Sequence, residues 1–179
     1  CSDIGIGGGR LTLMYHDGAF LLGGANANGH YWHQFVSGAF TKRRLVALSA
    51  DHGYQRWAKD ANYKGRPIII GNQALAEPWS FNLLTGEQLT REHPTTGRKV
   101  PWSLMRTGHH CGILTGCESG LLMFRSGDTA FYDMELDAGA NHFSGHRLGC
   151  WINAIPACGL VLIPEASAGC VCQFSIAST

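Results

Sequence analysis

A unit of strand, Gly turn and apolar strand recurs along this chain, and that recurrence limits the fold more than any other feature. Residues 111–121 (CGILTGCESGL) align with 150–160 (CWINAIPACGL): Cys comes first, Gly sits just before an apolar run, and Leu follows ten residues on. Cys1 to Leu11 has the same separation. A second element also repeats. Residues 47–53 (ALSADHG), 81–86 (FNLLTG) and 132–139 (YDMELDAG) each end on Gly, and each leads into a further short run. Gly supplies the positive φ that such hairpins need. Six apolar or alternating runs, at 11–15, 19–22, 44–48, 67–70, 121–124 and 160–163, are bounded by Gly, Asn, Asp or Pro, as strands joined by tight turns are. Helical periodicity is almost absent. Four-stranded units of about 40 residues are β-propeller blades, so the expected fold is all-β, with blades at about 1–60, 66–105, 109–146 and 148–177 in a single region, 1–179.

Composition narrows the function classes. Charged residues make up 15%, the formal net charge is +1, and no Lys/Arg stripe runs along the chain, which argues against nucleic-acid binding. No apolar run approaches a membrane-spanning helix. Seven cysteines are too many for casual cytosolic usage, and no C-x-x-C or C-x-x-C-H spacing occurs, so an extracytoplasmic location is expected. With no initiator Met and no basic-then-apolar leader, the chain reads as processed or as a piece of something longer. Cys1-Ser2 would also suit the start of a bacterial lipoprotein.

The stretch RRLVALSADHGYQRWAKDANY resembles the pyrroloquinoline-quinone (PQQ)-like propeller repeat, in which Ala-Leu-Asp, a short turn, Thr-Gly and Trp follow in order. GANANGHYW, AEPWSFNLLTGEQ, HHCGILTG and the segment 145–179 are similar to large bacterial extracytoplasmic proteins of this kind. The resemblance covers nearly the whole chain. It implies the carboxy-terminal half of a seven- or eight-bladed ring. A quinone enzyme of this type carries a Cys-Cys dipeptide, an Asp base and calcium ligands. Here there is no Cys-Cys, and no Asp falls at an inner-strand start after residue 3.

Several constellations remain as candidates. His109, Cys111, Arg147, Cys150, Trp151 and Asn153 gather near one mouth of the expected axis. They would serve as a quinone site or, through His109, Cys111 and Cys150, as a soft-metal set. A disulfide or buried thiols, with histidines bonded at the rim, would use the same residues. His30, Trp32 and His33 lie in an insertion that is either a binding loop or a loop pinned by its aromatics. Cys117 and Cys158 occupy equivalent turns, as an interblade disulfide or as two thiols. Cys170 and Cys172 share one side of a strand, with connectivity open. Trp57 and Phe143, four residues after their Gly, are placed to pack one sheet on the next. Asp133, Glu135 and Asp137 alternate along an expected strand, as a solvated face or a cation site.

The resulting expectation is a non-catalytic scaffold or binding module with a protein or glycan partner. One rival is a redox enzyme with PQQ or a metal ion at the axis. The other is a structural subunit of an extracellular assembly, self-associating through open blade edges.

Overall fold

The computed structural model describes residues 10–25, 32–106, 111–143, 146–149 and 154–164. The chain divides into two compact units, whose described residues fall at 10–105 and 106–164. Both are all-β, built from small antiparallel sheets, and all six apolar runs read from the sequence are strands.

In the first unit, β1 (Arg10–His16), β2 (Ala19–Ala25), β3 (Arg44–Ser49) and β4 (Gln55–Asp60) form one sheet in that order, with a short helix α1 (Trp32–Val36) between β2 and β3. Asp17 and Gly18, at φ 44° and 70°, make the two-residue β1–β2 turn. Positive φ at both turn residues matches the twist of the strands they join. A second sheet comprises β5 (Ile68–Ile70), β6 (Gln73–Ala76) and β7 (Trp79–Asn82). The chain then turns back along β7: Leu89 N–H donates to Ser80 O at 2.8 Å, and Phe81 bridges Gln88. This irregular return stands where a regular fourth strand was expected. The excursion that follows is a hairpin of its own, β8 (Thr90–Glu92) with β9 (Lys99–Pro101).

Strand alternation decides which side chains meet between these sheets. Ala19, Leu21, Leu45, Ala47 and Trp57 form one buried face, and it packs with Tyr63, Ala74, Ala76, Phe81 and Leu83. Trp57 seals the contact. Its indole lies on the Gly86 turn so closely that a Cβ at residue 86 would stand 2.7 Å from the ring. Trp57 Nε1 donates to Leu83 O at 2.8 Å, and Lys59 Nζ donates to Gly86 O at 2.8 Å. The aromatic four residues past its Gly therefore does join one sheet to the next.

In the second unit, β10 (Thr115–Gly116), β11 (Leu121–Ser126), β12 (Asp128–Asp133) and β13 (Asn141–Phe143) form a four-stranded sheet, and β14 (Ile155–Ala157) pairs with β15 (Leu160–Leu162). Met123, Leu148 and Ala154 form one buried cluster of this unit, with Leu121, Phe131, Val161 and Ile163 packed around them. Successive sheets place their first strands side by side in both units, β1 by β5 and β10 by β14.

The repeated turn has one geometry at three places, closed by Gly53, by Gly86 and, in the third, by Asp137 rather than the expected Gly139. Gly53 N–H donates to Ser49 O, Gly86 N–H to Asn82 O and Asp137 N–H to Asp133 O, at 2.8–3.0 Å. The closing residues have φ 69°, 73° and 46°. This corrects the reading of Asp133, Glu135 and Asp137 as alternating strand positions. Asp133 ends β12, and its Oδ1 accepts from Glu135 N–H and Leu136 N–H. Asp137 accepts from the Tyr132 hydroxyl. The carboxylates close a turn because local side-chain acceptors satisfy backbone donors that the strand has released.

Candidate functional site

The expected axis cluster is described only at Cys111 and Arg147, both buried, at 4% and 1% exposure. His109, Cys150, Trp151 and Asn153 lie outside the described residues, as do His110, Cys170 and Cys172. No group of three or more His, Cys, Asp or Glu converges as a metal set among the described residues.

In the insertion, His30 lies outside the described residues, while Trp32 and His33 begin α1 rather than a loop. The helical turn forms because Ser37 N–H bonds back to His33 O, and Gly38, at φ 75°, ends it. Phe35 is buried and anchors the helix, while His33 is exposed.

Cys117 and Cys158 come to the same cleft, of about 610 Å³, one from each hairpin. They stand there as separate thiols, not as the expected disulfide. Local turn geometry governs both. Cys117 N–H donates to Leu121 O at 2.8 Å, and Cys158 occupies the first position of a two-residue turn at φ 50°.

A buried polar cluster in the first unit escaped the sequence. Lys64 Nζ meets Glu77 Oε1 at 2.8 Å with both side chains buried. Arg43 Nη1 donates to Tyr63 O at 2.7 Å and Lys64 O at 3.0 Å, and its guanidinium lies 3.7 Å over the Phe40 ring. Burial pushes the Tyr63 phenol up to about 12, against the opposing pull of the Arg43 charge. Charges this well enclosed clamp the 61–67 connection to the β6–β7 corner. No spacing signal could have found the pair, because Lys64 and Glu77 meet only through tertiary packing.

The cavity with the best chemistry lies in the second unit. Leu121 and Met123 from β11, Thr129 and Phe131 from β12, Phe143 from β13, His146, and Val161 and Ile163 at β15 line about 370 Å³. That volume falls in the range of small-molecule sites. Alternation puts Thr129 and Phe131 on one face of β12, and Thr129 pairs across the ladder with Phe143. The Phe131 and Phe143 rings sit 5.3 Å apart, tilted at 33°. Thr129 N–H donates to His146 O at 2.8 Å, which brings the two polar members of the wall together. Thr129 Oγ1 and His146 Nδ1 are both buried without a hydrogen-bond partner.

Two sheet faces carry exposed apolar side chains. Leu11, Leu13 and Tyr15 alternate along one face of β1, at 58%, 57% and 62% exposure. In the second unit Ile155, Leu160 and Leu162 are exposed on β14 and β15. Comparison with known proteins finds no family model that matches this chain and no match among curated proteins.

Proposed function

We propose that this chain is part of a PQQ-like β-propeller that works outside the cytoplasm as a non-catalytic scaffold or binding module. The observation that carries the reading is the recurrence of one hairpin turn, closed by the same backbone bond at residues 53, 86 and 137, together with the Trp57 indole seated on the Gly86 turn of the following sheet. The side-by-side first strands of successive sheets add support, since propeller blades set their inner strands around one axis. The extracytoplasmic placement rests on the cysteine count and on the sequence resemblance.

The assembly-subunit reading has its own observation, the stripe of Leu11, Leu13 and Tyr15. An edge strand with an uncovered apolar face invites another sheet to pack on it. A second copy of the chain supplies such a sheet. Sedimentation of the purified chain at micromolar concentration tests this. The wild type should sediment well above its 19.4 kDa monomer mass, and Leu13→Asp should return it to monomer. A wild-type monomer across that range defeats the assembly reading. A visible chromophore or stoichiometric metal retained through dialysis defeats the scaffold reading in favour of a redox enzyme.

A further inference from the structure

We infer that the cavity of the second unit is a binding site for a small, uncharged, mostly apolar molecule bearing one hydroxyl, of the phenol class. The inference goes beyond the scaffold reading and does not depend on it. In the first unit, the aromatic four residues past the hairpin Gly is Trp57, and it closes the space between sheets by docking on Gly86. In the second unit the aromatic four residues past Gly139 is Phe143, but the turn there closes at Asp137, so Phe143 stands two residues farther along its strand, where it is 50% exposed and lines the cavity. The strand place that Trp57 holds opposite Ala47 belongs in the second unit to Asn141, opposite Phe131, and asparagine has no ring to close the space.

The wall has two parts of different chemistry. Leu121, Met123, Phe131, Phe143, Val161 and Ile163 form an apolar cradle, and the tilted Phe131–Phe143 pair favours an aromatic guest. Thr129 has 0% exposure, lines the cavity, and its Oγ1 has no hydrogen-bond partner. His146 Nδ1 is likewise unpartnered, and its carbonyl already holds the Thr129 backbone. Buried polar atoms are nearly always satisfied, so two orphans on residues of one cavity wall mark the place of a missing partner. A ligand hydroxyl suits it, because it donates and accepts at once, while threonine and the two imidazole tautomers accommodate either direction. No Asp, Glu, Lys or Arg is in the described lining, so an ionised ligand would lose its hydration without compensation.

Fluorescence titration with 2-naphthol and naphthalene tests the site. In the wild-type chain 2-naphthol should saturate at one site per chain, about tenfold tighter than naphthalene, the size of one hydrogen bond made to a buried partner. Thr129→Val should bring 2-naphthol down to the affinity of naphthalene, leave naphthalene unchanged, and melt at the same or a higher temperature. Thr129→Ser, which keeps the hydroxyl, should preserve the preference. The proposal falls if 2-naphthol does not saturate, if the two probes bind alike, or if Thr129→Val leaves the preference intact. It falls equally if Thr129→Val melts lower, since the hydroxyl would then have a partner within the protein.

Discussion

Gly86 and Gly53 hold the same turn position, yet the surroundings give them different tolerance. Both have φ near 70°, where any side chain with a Cβ is strained by about 1–2 kcal/mol. Nothing lies within 4 Å of a Cβ built at Gly53, whereas at Gly86 it meets the Trp57 indole. Gly53→Ala should therefore cost only the backbone strain. Gly86→Ala should cost about 2–4 kcal/mol, because overpacking adds to that strain. Urea unfolding midpoints of the two variants measure the difference. If they are equal, Trp57 is not seated on the turn in solution.

Tyr63 gives a second prediction at this scale. Its folded-state value, about 12, lies above the ordinary 10, so the folded protein binds the phenolic proton more tightly than the unfolded chain does. The associated stability is complete below about pH 10 and is lost as pH rises towards 12. Its size is about 2–3 kcal/mol. Wild-type urea midpoints should fall steeply over that window, and Tyr63→Phe should flatten the fall. An unchanged profile in the variant would assign the alkaline loss to other groups.

Among the elements, the hairpin turns are where local sequence and structure agree best. Asp17-Gly18 is a turn pair that fits its geometry, and the β14–β15 turn uses the same two positions for Cys158-Gly159. Cysteine is a poor occupant of positive φ, while asparagine tolerates it. Cys158→Asn should therefore stabilise the second unit by about 0.5–1 kcal/mol. A thermal melt checks this, and a lower melting temperature would mean that the thiol contributes something the turn alone does not explain.

The elements also show where sequence reading stops. Strands at 11–15, 19–22 and 121–124 were legible because alternation and flanking turn residues are local signals. The return after β7 was legible as a strand but not as an irregular one, since its pairing comes down to Phe81 with Gln88 and the Leu89–Ser80 bond. Residues 133–137 were misread as strand for a related reason. Acidic alternation imitates a solvated strand face, while the Asp133 side chain in fact captures two backbone donors and turns the chain.

At the scale of the whole molecule, the chain divides into two compact units, each with buried apolar clusters of its own. The stripe on β1 belongs to this scale. Three large side chains left mostly in water on one strand face represent burial not yet made, at about 25 cal/mol per Å² of apolar surface. The expected oligomer of the wild type, and its loss in Leu13→Asp, follow from that unspent surface.

By itself, the sequence determined the class of the structure. Its Gly spacing and alternating runs admit short antiparallel strands and little else, and the position of Trp57 relative to its turn already implied sheet-to-sheet packing. Only the tertiary structure decided the sites. The Lys64–Glu77 pair, the separate thiols of Cys117 and Cys158, and the meeting of Thr129 with His146 each join residues from different elements. Turns and strands are specified by neighbours in the chain, but a site depends on which faces are brought together, and that is settled by packing.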